Sequence, residues 1–321
     1  MSGLPHRALG ASGIHVSALA LGSWRTYERI PREQGIAVMQ AARDHGIDFL
    51  DDARYDDETG TAPIRSGYSE VVFGELFRAA GWKRDEVAVA NKLWWEFWPA
   101  ETAAEELDGS LRRMGIEYVD VTYSWANPEG PSVEEIVDAV GDLIAAGKLR
   151  AWGTGNWEPE QHALAARLAR RAGVPPPCAA QLPYNLTLRG AVEGAAALAA
   201  LDESGAAVVA SFVLAGGVLS GKYADGSTRG RMSEELDDPR LRPALQAAAA
   251  LHALAVKLAT TPAALAIAFA AANPRVATVL FGATTPEQVD TNVAAVELLD
   301  RLAPADLAEL RAIGAETAAQ P

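Results

Sequence analysis

The chain has 321 residues, 49% of them hydrophobic, with 42 acidic against 28 basic side chains and a formal net charge of −14. That excess of negative charge opposes association with nucleic acid or an anionic membrane. Cys178 is the sole cysteine, which excludes an internal disulfide, and no uninterrupted run of about twenty apolar residues is present to span a bilayer. The opening MSGLPHRALGASG lacks an apolar leader, so the expectation is a cytoplasmic protein without nucleic-acid or membrane partners, monomeric by default.

In chain order, HRALGASGIHVSALALG begins as a β-hairpin turning at Ser12 and Gly13, placed to close the bottom of a barrel ahead of its first strand. Short apolar runs at 16–23, 47–52, 87–92, 118–124, 151–156, 178–184, 207–213 and 277–282 read as strands buried on both faces. Between them lie stretches such as REQGIAVMQAARDHG, AAEELDGSLRRMG, SVEEIVDAVGDLIAAGK and EPEQHALAARLARRAG, apolar at helical spacing and closing at or near a glycine. Eight strands alternating with helices predict a (β/α)8 TIM barrel occupying residues 1–321 as one domain. A doubly wound open sheet competes with it, but LALGSWRTYERI carries no G-x-G-x-x-G after the first strand. After the seventh strand, SGKYADGSTRGRMSEELDDPRLRP is too long and polar for an ordinary connection, and predicts a loop over the active face.

A barrel enzyme draws its site from the C-terminal ends of its strands. Asp51, Asp52 and Tyr55 close the second run, Asn91 and Lys92 the third, Trp125 follows the fourth, Asn156 ends the fifth, and Gln181 lies near the end of the sixth. Polar groups there are costly to bury unless they pair with one another or with a ligand. An ammonium beside a phenol favours the phenolate, and a carboxylate beside the ammonium keeps it charged. Asp51, Lys92 and Tyr55 are therefore expected to act together, with Tyr55 made a usable acid near neutral pH. LWWEFW supplies Trp94, Trp95, Phe97 and Trp98. Core packing competes for this group, while Trp24, Trp94 and Trp125 are the candidates for an aromatic substrate wall. DDETG reads as a solvated loop and no metal site is predicted. His6 and His15 lie in the hairpin and His45, His162 and His252 in or at the ends of helices, none at a strand end.

The segments LGASGIHVSALALGSW, GIDFLDD, GYSEVVFGE, SLRRMGIEYVDV, GKLRAWGTGN, QLPYNLTLR, VLSGKY and VLFGATTPEQVDTNVAA succeed one another as they do in the aldo-keto reductase superfamily. The chain resembles most the branch that includes the potassium-channel beta subunits. The resemblance implies a (β/α)8 barrel that binds NADPH, with NADH also compatible, and reduces an aldehyde or ketone while a tyrosine supplies the proton. Position by position it implies Asp51, with Asp52 as the adjacent alternative, Lys92 and Tyr55 as the catalytic group. Asn156 and Gln181 fall where the nicotinamide carboxamide is held. Lys222 with Arg229 or Arg231, then Gln288 and Asn292, fall where some members hold the adenosine 2′-phosphate and adenine.

Four positions depart from that pattern. Tyr55 comes four residues after Asp51 rather than five, ahead of an extended DDETGTAPIRS. Trp125 stands where the family has a histidine, and an indole donates one hydrogen bond but exchanges no proton. Gly155 replaces a serine, removing an amide contact. Ser211 replaces the tyrosine that stacks on the nicotinamide, so that either Phe212 takes over through a small shift of the strand or another group covers that face. Thr285 also stands where a basic residue is common. Carbonyl reduction is the first reading; imine reduction by the same site and a low-turnover NADP(H)-binding accessory or sensor protein are the alternatives, with a Schiff-base lyase using Lys92 behind them.

Overall fold

The computed structural model describes residues 4–223 and 236–315. β1 (His6–Ala8) and β2 (His15–Ser17) pair antiparallel, with His6 opposite Ser17. Eight further strands close a parallel barrel: β3 (Leu19–Gly22), β4 (Phe49–Asp51), β5 (Ala88–Leu93), β6 (Val119–Trp125), β7 (Leu149–Gly155), β8 (Ala179–Pro183), β9 (Ala207–Ser211) and β10 (Val276–Phe281). β10 returns to pair with β3. The expected (β/α)8 TIM barrel and its leading hairpin are thus both present.

The helices begin and stop where local chemistry directs. Thr102 and Glu105 form a reciprocal capping box at the start of Ala103–Met114, and Gly115 ends that helix in the left-handed conformation. Ser132 and Glu135 do the same for Val133–Ala145. The outward faces of the strands and the apolar faces of the helices share one large cluster that includes Leu50, Val89, Trp152 and Val208.

Inside the barrel the strands alternate with a period of two, so Phe49, Ala90, Val121, Tyr123, Ala151, Ala179 and Val209 fill the interior. Leu9, Ile14 and Val16 of the hairpin join that cluster and close the N-terminal end. The fit is tight at Gly10: its φ is positive, and an added Cβ would lie 2.9 Å from the Gly205 carbonyl oxygen and nearer still to that of Cys178.

Residues 224–235 of the segment after β9, including Arg229 and Arg231, lie outside the described residues. Before them runs a short 3-10 stretch, Ala215–Ser220. No single described helix is long and apolar enough to cross a membrane.

Candidate functional site

The alternation that fills the interior also builds the site. Asp51 is two residues beyond Phe49, Lys92 two beyond Ala90, Trp125 two beyond Tyr123, Gly155 two beyond Gly153 and Gln181 two beyond Ala179. Each therefore belongs to the inner row at the C-terminal rim. Neighbouring strands set them side by side, with Trp125 opposite Gly155 and Gly155 opposite Gln181.

Lys92 is at the centre. Its Nζ donates to Asp51 Oδ1 at 2.6 Å and to the Tyr55 hydroxyl at 3.0 Å. Gln181 Nε2 donates to the other Asp51 oxygen at 2.9 Å, so both carboxylate oxygens are satisfied. Asp51 and Lys92 are buried and Tyr55 is half-buried. Asp52 turns away: Ser23 Oγ donates to its Oδ1, and burial with Glu70 nearby pushes its carboxyl well above the usual range. Between the two aspartates the structure thus brings only Asp51 to the lysine. Asn91 also faces outward, donating to Glu70 Oε1 at 2.9 Å.

The charge balance differs from the sequence expectation. Burial raises the Tyr55 hydroxyl above the ordinary phenol value; Lys92 pulls it down, while Asp51 and Asp52 push it further up. Proximity to a lysine was expected to make the phenol more acidic, but exclusion of water outweighs it. Burial works against the Lys92 ammonium, yet Asp51 and Tyr55 together raise its pKa above the ordinary lysine value. Both protons are held: a phenol and an ammonium in contact.

The aromatic cluster divides in two. Trp94 meets Tyr55 edge-on at 6.0 Å between centroids and lies 5.1 Å from Trp125, forming a continuous wall beside the phenol. The Trp94 Nε1 is buried without a hydrogen-bond partner. Trp95 is core, buried and donating to Ser124 Oγ at 2.9 Å, and Trp98 packs against it. Trp24 stands on the rim under the Arg25 guanidinium, 4.8 Å from the ring centroid. The loop after Tyr55 folds back as a compact turn, with Asp56 bridged to Ser66 and Glu58 paired to Arg25 and Arg29.

The remaining candidates spread around the same rim. Asn156 is exposed with φ 56°, its backbone N–H donating to the Gln181 carbonyl at 3.1 Å. Phe212 has φ 53°, is half-buried and packs against the larger cluster. Arg25, Trp95 and Ala215 are also left-handed, so five of the six described non-glycine residues with positive φ come just after barrel strands at this rim. Gathered at one rim, these left-handed residues make it the candidate functional surface. Lys222 is exposed, its ammonium 4.9 Å from the Tyr223 ring centroid. Gln288 uses its Oε1 to accept from Thr284 N at 2.8 Å, leaving its two N–H groups, and Asn292 is buried one helical turn on.

One part of the site was not singled out from the sequence. Arg54, next to Tyr55, reaches into the loop after β5, lying 3.4 Å from Glu96, 3.2 Å from Glu101 and 3.4 Å from Glu106. Glu106 in turn accepts from the backbone N–H of Trp94 at 2.8 Å and of Trp95 at 3.2 Å. The available signal was that the capping box on this helix needs only Glu105, leaving a neighbouring buried acid without a local task.

A closed barrel with a buried Asp–Lys–Tyr group and strained backbone at its C-terminal rim defines a barrel enzyme with its site in the place such enzymes use. The aldo/keto reductase family model matches residues 18–315, and the chain belongs to that family. It is accordingly an NAD(P)H-dependent oxidoreductase of the aldo-keto reductase type. Among similar proteins is a probable voltage-gated potassium channel subunit beta of Oryza sativa subsp. japonica, 31% identical over 97% of this chain and 96% of its own length. Its Arabidopsis thaliana counterpart is 29% identical over 94% of each chain. A putative subunit of the same description from Schizosaccharomyces pombe (strain 972 / ATCC 24843) is 33% identical over 94% of this chain and 90% of its own.

Proposed function

We propose that the protein reduces an aldehyde or ketone with NADPH, and that Tyr55 is the proton donor. The observation that carries this reading is Lys92 Nζ, 2.6 Å from Asp51 and 3.0 Å from the Tyr55 hydroxyl. When bound, the dihydronicotinamide supplies a hydride to the carbonyl carbon. The carbonyl oxygen then gains negative charge and takes the Tyr55 proton, giving an alcohol. Lys92, held charged by Asp51, stabilises the phenolate left behind, so the raised resting pKa of Tyr55 keeps the acid loaded and the lysine lowers the cost of unloading it.

The donor set suits the cofactor. Asn156 is exposed and tied to Gln181 through its backbone N–H, and the Gln181 side chain keeps its amide oxygen while its nitrogen donates to Asp51, so the two side chains together can meet one carboxamide. Lys222 is an exposed cation for a 2′-phosphate, with Arg229 and Arg231 close in sequence, which favours NADPH over NADH. Gln288 and Asn292 supply adenine contacts, and Trp24, Trp94 and Trp125 a pocket wall. A lysine with a raised pKa is a poor nucleophile, which disfavours a Schiff-base lyase.

The names of the similar proteins favour a second reading, an accessory subunit that binds the nucleotide with little turnover. The test is NADPH oxidation with 4-nitrobenzaldehyde by the wild type and Tyr55→Phe, after both are shown to bind NADPH. Aldehyde-dependent oxidation lost in Tyr55→Phe supports the reductase. Binding without consumption in either protein overturns it in favour of the accessory role or an imine substrate.

A further inference from the structure

Gly155 is a glycine for a reason that does not lie in its own backbone. Its φ is outside the left-handed region, so its conformation would accept other residues. The obstacle is Trp125, its register partner on β6. A Cβ on residue 155 would lie 2.6 Å from Trp125 Cζ3, 3.1 Å from Cδ2 and nearer still to Cε3, inside the roughly 3.5–4.0 Å at which carbon atoms rest in contact. The indole therefore leans from its own strand across the bare Cα of the next one. The edge resting there is the one opposite its N–H. Held in that position, Trp125 meets Trp94, Trp94 meets Tyr55, and Tyr55 meets Lys92.

We propose that Gly155 is a specificity-determining residue: it seats Trp125, and the seated ring selects flat aryl carbonyl compounds over aliphatic ones. The inference rests on the reductase reading of the site. A substrate whose oxygen reaches the Tyr55 hydroxyl must lay its remaining atoms beside Trp94 and Trp125. A planar ring gains aromatic contact there that a flexible chain does not. A methyl group at 155 would push the indole off its seat and break that wall without touching Asp51, Lys92 or Tyr55.

The test is a double-mutant cycle with wild type, Gly155→Ala, Trp125→Ala and the double variant, measuring kcat/KM with NADPH for benzaldehyde and for hexanal. The ratio of the two within each protein, compared between proteins, cancels intrinsic reactivity. Gly155→Ala and Trp125→Ala are each expected to lower the ratio about tenfold or more. Adding Gly155→Ala to Trp125→Ala is expected to leave the ratio unchanged. In parallel, Gly155→Ala should depress the melting temperature when Trp125 is present and not when it is absent. An unchanged ratio in both single variants, or an equal penalty for Gly155→Ala in both backgrounds, overturns the proposal. Turnover of neither aldehyde by the wild type overturns the reductase reading and the selectivity with it, and the melting cycle alone then decides the seat.

Discussion

Arg54 sets its guanidinium 3.4 Å from Glu106, joining the residue before Tyr55 to the carboxylate that holds the backbone of Trp94. Both side chains are buried, and removing one member of a buried pair leaves the other charge uncompensated. Arg54→Met is therefore expected to lose roughly 2–4 kcal/mol of stability in urea unfolding. Adding Glu106→Gln, which removes the stranded charge and keeps an acceptor oxygen, should recover most of it. No recovery would mean that the pair does not carry the connection.

The Asp51–Lys92 pair separates stability from chemistry. Lys92→Met abandons Asp51 in a dry site and should cost about 3–5 kcal/mol as well as activity. The double variant Asp51→Asn/Lys92→Met has no buried charge to strand, so its unfolding midpoint should return toward the wild-type value while NADPH oxidation stays lost. Activity retained in the double variant would remove both residues from the proton-transfer group.

His162 yields a pH prediction. Its ring lies between the Thr154 and Ser204 hydroxyls, each at 2.8 Å, and burial lowers its pKa to about 4. Between the ordinary imidazole value of 6.5 and that figure the unfolded chain binds a proton that the folded chain refuses. This contribution to stability is thus complete above pH 6.5, falls as the pH drops toward 4, and totals about 3 kcal/mol. The difference between the wild-type and His162→Gln melting curves against pH should show that slope in that window. Parallel curves would show that His162 is not the titrating group.

Cys178 sits against the hairpin, and burial pushes its thiol up to about 12. As the thiolate is the reactive form, the native protein should resist iodoacetamide at pH 8 and take up one equivalent once denatured. Rapid labelling of native protein would mean that the hairpin opens readily.

The architecture was legible because its two periodicities are local: apolar runs for the strands and helical spacing between them. The inner rim was partly legible for the same reason. Lys92 and Gln181 stood out as polar residues ending apolar runs, whereas Asp51 and Asp52 were separated only by knowing that Phe49 faces inward, a phase that a strand of three residues does not announce. Arg54 was visible, but its partners lie in the loop after β5 and on the helix that follows it, 42 to 52 positions away, and pairing over that separation has no sequence period. The direction of the Tyr55 shift was illegible because sequence names charged neighbours but does not measure how much water they exclude. Trp125 and Gly155 were each noticed as a departure, and only their register made them one feature.

The hairpin and the packed interior together make the barrel solid: Phe49, Val121 and Tyr123 fill it, and Leu9, Ile14 and Val16 seal it from below. Asp51 and Lys92 therefore stand on a floor rather than at the mouth of a channel, with Phe49 two residues beneath the one and Ala90 two beneath the other. A floor of this kind limits how deep any guest can sink, and the hairpin is its foundation.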